Sequence, residues 1–284
     1  EFNEEGQIIN FDNLQIVNGG QTTAQIYNAD KAGIDLSNIS VQMKLNLIKS
    51  VELVDELVPK IAQFANSQNP VSKADLFSND PYHRKIEQFS REIIPPVMEG
   101  NAFAEKWFYE RSRGQYLNEQ SELTSAQKRE FQKSYPRSKL VVKTDLGLVL
   151  NSWNQLPHFV SKGAQANFKK FADTIDYEKN PNFYNEKYYK DIIGKIIIFR
   201  EFRKEVMRQP WYQGLPAMVV TYSIAWLARN LEKQELVINL DNVWRTQICP
   251  EVLLNLLLTV SEKVNNHIHS HIGNPTTFAK GESC

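Results

Sequence analysis

The sequence predicts an α+β protein, with an α/β first half on a small mixed sheet flanked by helices and a mainly helical second half. Three observations predict it. Residues 7–48 run from short apolar stretches through a glycine turn into a helical pattern, then back to apolar–polar alternation. Beyond Thr124, apolar residues recur every three or four positions. The chain has 284 residues, 42% hydrophobic and 23% charged, which is enough for a large core and wrong for a disordered chain.

Gln7–Phe11 and Asn13–Val17 read as short strand pieces around an Asp12-Asn13 turn. Asn18-Gly19-Gly20 is a turn signal, and Thr22–Ala32 reads as a helix ended by Gly33. Ile39–Ile48 alternates through Val41, Met43, Leu45 and Leu47 and reads as a strand. Pro59–Asn66, Ser72–Phe77 and Tyr82–Arg91 read as helices, and Phe103–Tyr109 as a strand. In the second half, Ser125–Ser134 is helical in period, and Thr144–Trp153 has a threonine positioned to cap it. Tyr188–Arg208, Pro216–Leu231 and Pro250–His271 are the clearest helices. Tyr135-Pro136 breaks the pattern, so the expected division is residues 1–135 and 136–284.

Lys+Arg and Asp+Glu are 33 each, so global charge makes no case for nucleic acid or an anionic membrane. Locally the charge is uneven. Residues 1–58 hold nine acids and three lysines, whereas 128–143 hold six bases and one acid. That basic run, with Lys128, Arg129, Lys133, Arg137 and Lys139, is a candidate phosphate contact. The two cysteines form no CxxC pair, which argues against a disulfide framework or a thiolate zinc site and fits a reducing, cytoplasmic setting. The longest apolar run, near Val252–Val260, is too short to span a membrane, and no signal peptide is expected.

Four constellations could carry chemistry. In Asn18-Gly19-Gly20-Gln21-Thr22-Thr23, glycines let a ligand approach the backbone, and a helix start offers unpaired N–H groups; the plain alternative is a capped turn. Asn66-Ser67-Gln68-Asn69 gathers amides that can read bases or polar substrates, or simply end a helix. In residues 106–116, strand alternation would align Trp107, Tyr109, Arg111 and Arg113 for base stacking and phosphate contact, or form a core edge. His267, His269 and His271 have partial zinc spacing but neither a HExxH glutamate nor a nearby thiolate, so no metal site is assigned. Cys249 reads as a buried small residue. No P-loop, GxSxG, HExxH or kinase set is present, so no catalytic residue is named.

The stretches QIVNGGQTTAQIY, IAQFANSQNPVSKADLFSND, KWFYERSRGQY, SYPRSKLVVKTDLGLVLNSW, FVSKGAQANF, VWRTQICPEV and NPTTFAKGESC occur in an order that resembles the AIPR (abortive infection phage resistance) family. The resemblance covers nearly the whole chain. It implies bacterial phage defence, often beside restriction-modification systems, without fixing a biochemical activity. Both ends of the chain are expected to continue in a longer protein. Residues 14–48 are more distantly similar to the ParB-like and DGQHR layout, in which a glycine turn and a later polar motif hold nucleotide. The resemblance places Gly19–Thr22 and Asn66–Asn69 in those two roles. Where ParB has two arginines this chain has Gln21 and Thr22, so a less charged ligand suits the amides better.

The expected function is therefore a nucleotide- or nucleic-acid-binding and sensing module of phage defence. Its ligand set would be Asn18, Gly19, Gly20, Gln21, Thr22, Asn66, Gln68 and Asn69, with Arg111, Arg113 and the basic run facing nucleic acid. The sequence names no cofactor; a nucleotide with Mg²⁺ is one candidate. The rivals are a nuclease needing converging acids, and a helical scaffold for a restriction-modification or other defence partner.

Overall fold

Glycines bracket the first helix, α1 (Gly20–Lys31), in the computed structural model, which describes residues 13–48, 50, 53–65, 77, 80–100 and 102–281. Gly19 precedes it at φ 84°, a left-handed backbone that glycine adopts without strain. At the other end Gly33, at φ 72°, donates to the Asp30 carbonyl at 2.9 Å, and Ile34 N–H reaches back to the Ala29 carbonyl at 3.0 Å. That pair of bonds is a Schellman closure, which satisfies carbonyls left over by the last turn. The helix thus ends where the sequence places its end.

The chain divides into two compact units, Glu1–Val71 and Ser72–Cys284. The first contains α1 and α2 (Val54–Ala65), which begins five residues before the expected Pro59. The two strands expected among its described residues are not formed. Residues 39–48 carry no strand pairing, and Val41, Met43 and Leu47, expected to face a core, are exposed. Asn13–Val17 is likewise not a strand, with Asn13 bent at φ 58°. Alternation states which side chains a strand would bury, but a strand needs a hydrogen-bonding neighbour, and none adjoins either segment among the described residues. Gln7–Phe11 and the Ser72–Lys73–Ala74–Asp75–Leu76 part of the expected helix lie outside the described residues.

In the second unit, α3 (Pro81–Glu92) is capped by Asp80, whose Oδ1 accepts the Tyr82 N–H at 2.8 Å, with proline at the first helical position. Next come β1 (Phe108–Glu110), α4 (Gln115–Asn118) and α5 (Ser125–Ser134). A capping box starts α5: Gln127 N–H donates to Thr124 Oγ1 at 3.4 Å, and Thr124 N–H to Gln127 Oε1 at 2.9 Å. After a short 3₁₀ turn at Arg137–Lys139, β2 (Leu140–Val142) runs parallel to β1, pairing Phe108 with Leu140 and Glu110 with Val142. Among the described residues the α+β class is therefore met by a largely helical protein with one small parallel sheet. Strands on both sides of residue 135 join in that sheet.

Helices complete the unit: α6 (Lys143–Trp153), α7 (Pro157–Ser161), α8 (Ala164–Asp173), α9 (Glu186–Val206), α10 (Pro216–Lys233), α11 (Leu240–Thr246), α12 (Glu251–Ser270) and α13 (Pro275–Phe278). Thr144 does not cap α6; the helix begins a residue earlier, with Val142 in the cap position and no side-chain bond. The central helix is α9. Its Ile192, Ile193, Ile196, Ile197, Ile198, Phe199 and Phe202 are all buried, so its middle is apolar on most sides, while Glu186, Lys187, Arg203 and Lys204 near its ends are exposed. It packs on α3, α6, α10, α11 and α12. A long-range bond ties the sheet to this bundle: Trp107 Nε1 donates to Gln247 Oε1 at 2.9 Å. No helix among the described residues is long and apolar enough to cross a membrane.

Gly147 lets α6 and α8 touch. A Cβ there would lie 3.1 Å from Phe171 Cδ1 and 3.3 Å from its Cβ. Gly147→Ala should destabilise the protein by about 1–3 kcal/mol through overpacking, although alanine is the better helix former. Thermal unfolding would reveal this as a lowered midpoint; an unchanged or raised midpoint would mean that the contact yields without cost.

Candidate functional site

The Asn18–Thr22 turn is built by Gly19. The Gly19 N–H donates to Asn18 Oδ1 at 2.7 Å, and the Gly19 carbonyl accepts from Thr23 N–H at 2.9 Å and Thr23 Oγ1 at 3.1 Å. Gly19, in the cap position, brings no side-chain hydrogen bond to α1, and Asn18, Gly19, Gly20 and Thr22 are exposed. A helix start without a cap presents N–H groups and the positive end of the dipole to whatever approaches. A Cβ at Gly19 or Gly20 would meet nothing within 4 Å, so the approach to the backbone is open. Asn66, Gln68 and Asn69 lie outside the described residues, as does the environment of the Gln21 side chain.

The KWFYERSRGQY segment forms a hub. The strand covers only Phe108–Glu110, and Trp107, Phe108 and Tyr109 are all buried, so both of its faces pack inward. The expected alternation through Arg113 stops because Glu110 turns its carboxylate onto the next residues, accepting from Gly114 N–H at 3.0 Å and Tyr116 N–H at 3.1 Å. Arg111 Nε pairs with Glu87 at 2.8 Å, and Gln115 Nε2 also donates to Glu87. Burial alone would raise the Glu87 pKa, but the Gln115 and Arg111 hydrogen bonds and the Arg111 and Arg91 charges hold it below the ordinary value. Arg91 stacks over Phe108 with its guanidinium carbon 3.6 Å from the ring centre, and also meets Glu119 at 3.2 Å.

The basic run divides by environment. Arg113, Arg129, Lys133 and Arg137 are exposed and Lys128 is half-buried. Lys139 is turned inward: Nζ donates to the Glu105 carbonyl at 3.1 Å, lies 3.5 Å from the Glu105 carboxylate, and is pushed down in pKa by burial against that carboxylate's pull. The structure thus brings Trp107, Tyr109 and Arg111 to one hub and leaves Arg113 and the α5 bases facing outward.

A family model described as AIPR protein matches residues 1–272. The chain belongs to the AIPR family. No curated protein and no solved structure matches it. Membership suggests a role in phage defence.

In this AIPR protein the histidines near the C-terminal end of α12 are engaged with neighbours. His269 Nδ1 bonds the Asn265 carbonyl at 2.8 Å, His271 stacks on Phe278 at 3.9 Å, and His267 meets the same ring at 5.3 Å. Among the described residues no three His, Cys, Asp or Glu side chains stand together in a way that could hold a metal. Cys249 is buried as expected, and its thiol is pushed up to about 12 by burial and the Glu201 charge. Its backbone N–H donates to Glu201 Oε2 at 2.9 Å.

One polar cluster escaped sequence reading. His83 is wholly buried on α3, its ring stacked against Tyr109 at 13° and Phe168 at 19°. Its Nδ1 shares a 2.6 Å hydrogen bond with the Tyr109 hydroxyl, and its Nε2 has no partner. Burial, then the Lys143 and Arg111 charges, lowers its pKa to about 3, so the imidazole is neutral. The signal was present: His83, Glu87 and Ser90 recur at helical spacing beside the apolar stripe Tyr82, Ile86 and Phe89.

Proposed function

We propose that this AIPR protein serves phage defence as a binding or sensing module for a nucleotide or nucleic acid. The ligand would meet Asn18, Gly19, Gly20, Gln21 and Thr22, with Asn66, Gln68 and Asn69 supplying further amides in the manner of the ParB-like order. What carries the reading is the start of α1: a left-handed Gly19, no side-chain cap, and open space over both glycines. Such a terminus favours an anionic or strongly hydrogen-bonding group. Because Gln21 and Thr22 are neutral, a base, a nucleoside or a single phosphate suits it better than a triphosphate. A nucleotide accompanied by Mg²⁺ belongs to the same reading.

A nucleic-acid strand would find separate phosphate contacts at Arg113, Lys128, Arg129, Lys133 and Arg137. Arg111 and Lys139, committed to Glu87 and Glu105, would contribute less.

A thermal-shift screen of nucleotides and short DNA and RNA, with and without Mg²⁺, tests this reading. A ligand at 100 times its Kd adds about 2.7 kcal/mol of stability. We expect a shift in the parent protein that is smaller in Gln21→Ala and in Asn66→Ala. For nucleic acid, Arg129→Ala with Lys133→Ala should flatten the salt dependence by about two ion equivalents. No shift with any of these ligands, or a shift undiminished in both amide variants, would remove the reading.

A further inference from the structure

Within the second unit, α10 and α12 part to form a groove of about 790 Å³. Tyr222, Ala225, Trp226 and Arg229 line it from α10, at the spacing of one helix face. Leu256, Val260, Lys263 and His267 line it from α12, also on one face, and Gln155 and His158 close it near α7. Buried Ala225, Val260 and Ile268 make the floor apolar. The volume lies in the range of small-molecule sites, and such sites combine apolar walls with a few directed polar groups.

The polar groups are of one sign. No aspartate or glutamate lines the groove, while Arg229 and Lys263 do, and neither has an ion-pair or hydrogen-bond partner among the described residues. Arg229 has an obvious candidate partner in Glu232, three positions on along α10. That carboxylate is instead held by Gln155 Nε2 at 2.6 Å. Gln155 does this from a left-handed backbone at φ 59°, where it closes the end of α6: its N–H donates to the Ser152 carbonyl at 3.2 Å and Leu156 N–H to the Asn151 carbonyl at 2.8 Å. One wall of the groove is an aromatic surface: Trp226 is 46% exposed, and Tyr222 is fixed by its hydroxyl, which donates to the Ala279 carbonyl at 2.8 Å.

We propose that this groove is a binding site for a nucleoside monophosphate, with the base against Trp226 and the phosphate between Arg229 and Lys263. Aromatic stacking and paired cations are the two features such a ligand needs, because every base has a π-face and phosphate takes charge-assisted hydrogen bonds. The site uses none of the residues of the Asn18–Thr22 turn, so its failure and the failure of that reading are separable.

Tryptophan fluorescence, excited at the red edge to avoid base absorption, tests the proposal on the intact chain. The four nucleoside monophosphates, the corresponding nucleosides and inorganic phosphate are titrated in parallel. At least one monophosphate should quench saturably, while its nucleoside and phosphate alone should bind at least about tenfold more weakly, as expected when a charge-assisted contact is lost. Arg229→Ala and Lys263→Ala, both at exposed positions, should each weaken binding about tenfold or more. Trp226→Phe should abolish the quench, and Gln21→Ala should leave it intact. The proposal is overturned by no saturable quench with any monophosphate, by equal binding of nucleoside and nucleotide, or by a quench that survives in Trp226→Phe.

Discussion

Phe168→Ala should lower the unfolding free energy by about 3–5 kcal/mol. Phe168 is wholly buried on α8. Its ring lies 5.8 Å from Phe77, 5.9 Å from the stacked His83 imidazole and 5.9 Å from Phe171. Those neighbours belong to a separate segment, to α3 and to α8 itself, so the void would be lined by rings that cannot all move inward. The cost is then the lost transfer free energy plus a cavity term. Urea titration followed by far-ultraviolet circular dichroism measures it. Phe183→Ala, at an exposed ring, is the control and should change stability by less than about 0.5 kcal/mol. A Phe168→Ala loss as small as that of the control would mean that the ring does not stand in the core.

The second large effect is a loss of stability in mild acid that traces to His83. The folded pKa, about 3, lies below the ordinary value of 6.5. Below pH 6.5 the unfolded chain therefore takes up a proton on this side chain, and the folded protein does not until about pH 3. Stability from this group is complete above pH 6.5 and falls as pH falls, at roughly 1.4 kcal/mol per pH unit. Between pH 6.5 and 4.5 the loss is about 2–3 kcal/mol. His83→Asn keeps a polar group facing the Tyr109 hydroxyl and does not titrate, so it isolates the effect. The stability difference between parent and variant should shrink steadily over that window. A constant difference would show that the imidazole protonates as readily in the folded protein as in the unfolded chain.

Both effects arise where the sequence was least informative. Long helices were legible: Ser125–Ser134, Pro216–Leu231 and Pro250–His271 were read to within two residues, because local caps and a sustained 3.6-residue period decide them. The family was legible too, since many short motifs in order carry more information than any one of them. Partners far along the chain were not. Arg111 looks free beside Trp107 and Tyr109 until Glu87, 24 positions earlier, is brought alongside it. Val41, Met43 and Leu47 alternate as a strand should, yet pairing is decided by neighbours that alternation does not specify. The groove between α10 and α12 was hidden for a third reason. Trp226 and Arg229 sit on a helix whose period was read correctly, but a groove belongs to two helices at once.

The bond from Trp107 to Gln247 joins positions 140 residues apart. A ribosome adding about 5–20 residues per second needs about 7–28 s to travel between them. Throughout that interval the aromatic segment around β1 has emerged without the helix that completes its enclosure. Contacts this distant also slow folding itself, since the intervening chain must close before they form. The second unit is therefore vulnerable to aggregation during synthesis, and a chaperone able to hold Trp107–Tyr109 would be of most use before α11 leaves the ribosome.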